Sequence, residues 1–514
     1  MKQIFKKIKI RYAALLLLFV AVGCESDFLE TRPTDKLGYA DVVEKPQGLM
    51  NIINGIHRDM YVRTPYGQGY NGQTGAIIMF ESMADDLVHT GTGVNWHVSD
   101  LRWLSADIDT STGTNYPWRF YYKIVGNANI VIDNAPNVFI EPSNQVAETA
   151  LRDKALGEAY AYRAWAFFQL VQIYSKRFDK ASANNDADGG IILRLTNSTE
   201  PMKRSTVKET YDQIHSDLDK AITLLTGKSR DHKSQFNSSV AKGIKARVYL
   251  AQQDWKLAAQ FAGEARGTLP LMTNAEYVLG FNKISNNEWM WGSEILPDNT
   301  DYFGNFGAYM SRNYNSSTIR TAPKAIYRPL YDAFPSTDIR KANFDPTGNH
   351  TNLGLPTNFT KRPYTSQKFL SVSVSDSRCD VPYMRVAEMM LIQAEALARD
   401  VQEPASKAIF EILAKNRNPN YSSTNTGAAY INEVMNSRRL ELWGEGFRWF
   451  DLKRLNLPLE RNKFNGVTVT PASNVNHVAS VINSLYTVSN TDSKWQFKIP
   501  RQEIDSNPLC KQNQ

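Results

Sequence analysis

Cysteine is nearly missing from this chain: three occur in 514 residues, at positions 24, 379 and 510. No disulfide framework can hold such a fold, and Cys379 and Cys510 are left to form one bridge or two free thiols. Long hydrophobic runs are missing too. The apolar stretch Ala13 to Val22 has ten residues, about half of the roughly 20 that a membrane-crossing helix needs, and no second candidate follows. His-Glu-x-x-His, Gly-x-Ser-x-Gly, Walker and Cys-x-x-Cys patterns do not occur, so enzyme chemistry has no local support. An excess of one charge is only apparent. The formal net charge is +7, but five of the 59 Lys and Arg precede Cys24 and no Asp or Glu does, so beyond it 54 basic residues face 52 acidic ones. A remainder of +2 makes no general case for a polyanion partner.

What is present begins at the N-terminus. Lys2, Lys6, Lys7, Lys9 and Arg11 form a basic head, the apolar run follows, and Ala21-Val22-Gly23 supplies the small residues of a cleavage site. Residues 1–23 thus read as a secretion signal, and with Cys24 next the stretch resembles a bacterial lipoprotein box, in which the cysteine is acylated, with palmitate-like chains, before cleavage. Cys24 is the lipidation candidate. Each buried methylene contributes ~0.8 kcal/mol, so several acyl chains anchor the protein while the polypeptide stays in water. Glu25 to Pro33, acidic and ending in proline, suits a short extended tether.

Helical periodicity dominates the rest. Leu156, Ala159, Tyr160, Arg163, Phe167, Leu170, Val171 and Tyr174 follow three-four spacing, as do Tyr211, Ile214, Leu218, Ala221 and Leu225 in a helix predicted from about Lys208. Thr206 and Glu209 stand at capping-box spacing before it. Two helix pairs follow, Val240–Gln252 with Asp254–Gly267, and Met384 to Asn416. In the first, Ala246, Tyr249, Ala258, Ala262, Ala265 and Pro270 take the order of a tetratricopeptide unit; in the second, Ser406 stands twelve residues after Ala394, as Ala258 does after Ala246. Residues 61–120 and about 270–375, rich in Gly, Asn, Ser, Thr and aromatics, read as long loops with short elements.

Near the C-terminus, Ser437 to Arg454 packs opposite charges and aromatics into what reads as one helical stretch. Arg438 is expected to meet Glu441 or Leu442, and Arg448 to meet Asp451 or Leu452. An acid/base pair of Glu441 and Glu445 would need a cleft around them. The run Arg438-Arg439-Leu440-Glu441-Leu442-Trp443-Gly444-Glu445-Gly446-Phe447-Arg448 resembles the most recognisable segment of the SusD/RagB family of outer-membrane nutrient-binding lipoproteins of Bacteroidetes. So do Tyr383 to Ala396, Phe497-Lys498-Ile499-Pro500 through Leu509, Trp118 to Asn129, and Glu158 to Leu170, in the family's order. Tyr160-Ala161-Tyr162 departs from the family's usual Glu-Ala-Arg-Phe, and the tail is a little short. The resemblance implies an all-α, SusD-like fold of about four tetratricopeptide-like units with loop-rich insertions forming a ligand face. It divides the chain into residues 24–230 and 231–514, interwoven in one body. It also implies a glycan ligand, a SusC-like TonB-dependent transporter as partner, no catalysis and no cofactor. By the same resemblance the acidic residues after Cys24 export the protein to the outer face of the outer membrane.

A carbohydrate site wants aromatic planes for C–H faces and amides, carboxylates or Arg for hydroxyls. Two loops supply both: Tyr66 to Gly72 together with Asn95-Trp96-His97 and Arg102-Trp103, and Trp289-Met290-Trp291 through Asp301-Tyr302-Phe303 to Tyr309, Arg312 and Tyr314. The candidates are Trp96, Tyr70, Asn71, Tyr302, Tyr309 and Arg312, while Trp289 and Trp291 read as core. The Gly67-x-Gly69-x-x-Gly72 pattern has no strand before it and no evident helix after it, which argues against phosphate binding. Asn184, Asp186 and Asp188 echo a calcium loop, but Leu195 stands where its closing Glu should be. Peptide cargo within the same family, or a lipid-anchored repeat scaffold, are the competing readings.

Overall fold

A computed structural model describes residues 42–63, 67–93, 96–469 and 477–513. Cys24 with its signal and tether, Tyr66 and Asn95 lie outside the described residues. Among these, eleven helices have seven residues or more. They are α1 (Pro46–Asp59), α2 (Gly72–Met83), α3 (Thr112–Asn134), α4 (Gln145–Tyr174), α5 (Val207–Leu225), α6 (Ser238–Gln252), α7 (Trp255–Arg266), α8 (Val386–Arg399), α9 (Glu403–Arg417), α10 (Gly427–Glu441) and α11 (Arg448–Arg454).

Local chemistry sets their starts. Thr206 Oγ1 accepts from the Glu209 amide at 3.0 Å and the Glu209 carboxylate accepts from the Thr206 amide at 2.8 Å, the capping box expected for α5. Asn237 and Asp254 cap α6 and α7 in the same way, each accepting from an amide three residues on. The helices then stack in chain order, α3 on α4, α4 on α5, α5 on α6, α6 on α7, α7 on α8, and α8 on α9 and α10, while α1 covers α3 and α4. Small residues sit where axes approach: Ala246, Ala258, Ala262 and Ala265 are buried, and Ser406 Oγ of α9 donates to the Ala394 carbonyl of α8 at 2.6 Å. The architecture is helical and repeat-like, with few strands.

The strands are short and lie in the loop-rich half. β1 (Leu87–His89), β3 (Lys324–Ile326), β5 (Thr365–Ser366) and β4 (Phe344–Asp345) form an antiparallel sheet in that order. β2 (Trp289–Ser293) pairs with β6 (Val381–Arg385), which runs directly into α8 and buries Trp289 and Trp291 in the core. One apolar cluster extends from Leu49 to Cys510 and ties both halves together. Cys379 and Cys510 are separate buried thiols.

Two expectations need correction. Residues 61–120 are not chiefly loop: they contain all of α2 and the start of α3. α2, Gly-Gln-Thr-Gly-Ala-Ile-Ile-Met-Phe-Glu-Ser-Met, is buried on nearly every side, so it has no polar face to give it a helical period. A helix therefore does begin at Gly72, directly after the glycine pattern, although a turn rather than a strand precedes it. Nor is 437–454 one helix. Gly444 and Gly446 adopt φ of +79° and +84°, a left-handed break that other residues resist. The Glu81 carboxylate fixes it, accepting from both glycine amides at 2.9 Å. The ion pairs follow the break. Arg438 binds Asp451 at 2.8 Å across the turn, and Arg448 reaches back to Asp85 at 2.6 and 2.9 Å.

Candidate functional site

The two candidate loops, more than 200 residues apart in sequence, meet in space. Gly67 and Gly69 take φ of +108° and +87°, which swings the 67–72 turn toward the 96–100 segment. A side chain at Gly69 would press on the ring of His97 at 3.2 Å and on Trp96 at 3.5 Å. His97 locks the contact, one ring nitrogen donating to the Gly69 carbonyl at 3.1 Å and the other facing the Asp100 carboxylate at 3.0 Å. From the second loop, Tyr309 lies parallel to Trp96 with centroids 5.4 Å apart, and its hydroxyl donates to the Trp96 carbonyl at 3.0 Å. Arg63 pairs with Asp301 at 3.2 Å and completes the junction.

The six candidates divide by exposure. Trp96, Tyr70 and Tyr302 are partly exposed, whereas Asn71, Tyr309 and Arg312 are 2, 2 and 1 % exposed. Tyr70 stands edge-on between His97 and Tyr116, 5.0 Å from each. Asn71 begins α2, its carbonyl accepting from Thr74 Oγ1 at 2.6 Å and from the Gly75 amide at 2.9 Å. Arg312 donates to the Thr360 carbonyl at 3.0 Å and lies over Phe359, and burial pushes its guanidinium down to about 10. Beneath Tyr309, the Lys324 ammonium sits 4.1 Å from the ring centre, and burial pushes it down to about 7. Sequence reasoning passed over Phe303, whose ring is 70 % exposed beside Tyr302. Nothing in the Tyr302-Phe303 pair signals which of two adjacent aromatics faces water.

At the junction Arg63 pairs with Asp301, and Gln68 and Asp301 both stand beside Gly304. Glu441 and Glu445 lie in the interior, Glu445 on the wall of a small cavity of about 70 Å³. Arg385 binds Glu441 at 3.1 Å and Glu445 at 2.6 Å, Arg417 binds Glu441 at 3.1 Å, and Lys368 binds Glu445 at 2.7 Å. Burial pushes the Glu441 carboxyl up, but Arg417, Arg385 and Arg340 outweigh it and hold it below the usual carboxylate range. Among the described residues no group of three His, Cys, Asp or Glu is arranged to hold a metal ion. Asp188, from the calcium-like loop, is paired with Lys511 at 2.6 Å. No helix of the described residues is long and apolar enough to cross a membrane.

Residues 27–250 match the model of a SusD-like family described as starch-binding and associating with the outer membrane, and residues 338–514 match the SusD family model. A SusD-like protein of Formosa agariphila is 23% identical over 528 residues, spanning 90% of this chain and 94% of that one. A SusD-like protein of Bacteroides ovatus is 30% identical over 199 residues, 35% of this chain and 32% of that one. Of solved structures, a SusD-like carbohydrate binding protein from Bacteroides vulgatus superposes with a TM-score of 0.74 at 22% identity, over 91% of this chain and 97% of that one. A laminarin binding SusD-like protein superposes with a TM-score of 0.66 at 18% identity, over 91% and 98%. Fold, segment order and family models agree: the chain belongs to the SusD/RagB family.

Proposed function

We propose that this protein is a non-catalytic glycan-binding lipoprotein, anchored through acylated Cys24 on the outer face of the outer membrane, that captures oligo- or polysaccharide and passes it to a SusC-like TonB-dependent transporter. The observation that carries the binding step is the junction of the two loops, where Trp96, Tyr70, Tyr302 and Phe303 present ring surface to solvent. Flat C–H faces of sugars pack on such rings, and Gln68, Arg63 and Asp301 stand at the rim for hydroxyls. In this conformation direct contact falls to the exposed rings. Tyr309, Asn71 and Arg312 act from behind, Tyr309 by supporting Trp96, Asn71 by starting α2 and Arg312 by holding the second loop. Proteins of this family generally bind rather than react, and the laminarin-binding relative makes a glycan the first ligand to try.

The test uses protein from residue 25 onward against a panel of plant, host and microbial glycans. Binding without shortening of the chain is expected. Trp96→Ala or Tyr302→Ala should weaken it at least tenfold, about 1.4 kcal/mol. Release of cleaved oligosaccharides, or binding of oligopeptides alone, would overturn the reading. Co-purification with a large outer-membrane barrel checks the delivery step.

A further inference from the structure

Away from the loop face, a second concavity of 450 Å³ opens against the last helical unit. Its walls are the segment joining α9 to α10, one face of α10, the turn at Phe334-Pro335 and the tip of the 463–468 hairpin. The volume falls in the roughly 300–1,000 Å³ range of small-molecule sites.

One side chain recurs in its lining. Asn418, Asn420, Asn425, Asn432, Asn436 and Asn465 converge there from three places in the chain, the α9–α10 segment, α10 and the hairpin tip. A lone surface asparagine is solvated and needs no explanation, but six around one concavity form a field of paired donors and acceptors without charge. Among the described residues the side-chain amides of Asn420, Asn432, Asn436 and Asn465 make no hydrogen bond, so their capacity is open to a ligand. Asn418 is 6 % exposed; its Oδ1 accepts from the Asn420 amide at 3.2 Å while its Nδ2 donates to no described residue.

The charged groups there are already engaged. Arg340 grips Asp338 with two bonds of 2.9 and 2.7 Å, and Glu433 accepts from Tyr421 at 2.8 Å, Ser423 at 2.6 Å and Asn425 at 2.8 Å. No unpaired cation among the lining residues awaits a sulfate or carboxylate. Two rings complete the set. Phe334 and Tyr421 are each partly exposed, and Tyr421 is braced edge-on against buried Phe410 with centroids 5.7 Å apart. Uncharged amides beside partly open aromatic faces match the hydroxyl rim and C–H face of a neutral sugar, and suit neither an anion nor a purely apolar guest.

We propose that this asparagine-lined concavity is a second carbohydrate site, selective for short neutral oligosaccharide stretches. It takes its ligand class from the glycan reading above, but its residues share nothing with the loop face. Two sites on one polysaccharide would hold it by effective concentration, which strengthens capture without tightening either site alone.

The experiment separates the two readings. Neutral gluco-, manno-, xylo- and galacto-oligosaccharides are titrated by calorimetry into protein from residue 25 onward, into Trp96→Ala, and into Trp96→Ala carrying Asn432→Ala and Asn436→Ala. The asparagine changes lie on the outer face of α10, where alanine favours helix, so the fold is retained. Trp96→Ala is expected to keep one binding event, and the added asparagine changes to weaken it at least tenfold. Loss of all binding in Trp96→Ala overturns the second site while leaving the loop site intact, as does residual binding that ignores the asparagine changes. If the unaltered protein binds no glycan, the loop-face reading falls and takes this one with it. Tyr421→Phe, which keeps the ring and removes one of the three donors to Glu433, should leave neutral-sugar binding within about threefold.

Discussion

The interior around Arg385 and the face around Trp96 solve opposite problems. In the interior, Arg385, Arg417, Arg340 and Lys368 meet Glu288, Glu441, Glu445 and Asp338, all of them buried, so four cations are neutralised by four anions out of water. On the face, apolar rings are left in water: Phe303 is 70 % exposed. A buried charge is tolerated only with its partners, whereas a ring as exposed as Phe303 leaves most of its surface available to a ligand. The contrast separates residues that hold the molecule together from residues proposed to meet a ligand.

The sharpest way to break the comparison is Arg385→Met. It leaves Glu288, Glu441 and Glu445 each short of a donor, and should cost about 3–5 kcal/mol of stability, measured as a fall in the urea midpoint. Phe303→Ala, by contrast, should move that midpoint by less than about 0.5 kcal/mol. If the two changes cost the same, the division between holding and acting is wrong.

Lys324 tests the border between the two regions, because its ammonium lies beneath the Trp96–Tyr309 pair and is pushed down to about 7 from an ordinary 10.5. Between those values the unfolded chain carries a proton that the folded chain lacks, so this group makes stability rise with pH from about 7 to 10.5 and contributes a constant below about 7. Lys324→Met should remove that rise. Comparing urea midpoints of the variant and the parent at each pH cancels the other groups that titrate in the window; parallel curves would sink the prediction.

Much of the helical half was legible because its signals are local. Thr206 and Glu209 are three residues apart, and Ala394 and Ser406, which touch in the structure, are twelve apart. The rest was not, because the partners are distant in sequence or the pattern is silent. Arg448 lies 363 residues from Asp85 and Tyr309 lies 213 from Trp96. α2 is buried on nearly all sides and so shows no period. The candidate face was legible as two aromatic loops. Which rings face water was not, since Tyr302, Phe303 and Tyr309 differ by their depth in the finished fold.

The locality of the helical half can be put to a smaller test. Thr206→Ala removes the oxygen that accepts from the Glu209 amide and should cost about 1 kcal/mol of global stability while leaving glycan binding unchanged. A loss of binding in that variant would couple the repeats to the ligand face.

The smallest effect is the most diagnostic of how the two loops cooperate. Tyr309→Phe keeps the ring parallel to Trp96 and deletes only the hydroxyl that donates to the Trp96 carbonyl. A typical hydrogen bond of this kind contributes about 0.5–1.5 kcal/mol, so stability should fall by no more than that. If Tyr309 acts by supporting Trp96, glycan affinity should drop by about threefold through a looser platform, and Tyr309→Ala should drop it much further. If affinity is unchanged in both, Trp96 holds its position without the second loop, and the meeting of the two loops is packing rather than the construction of a site.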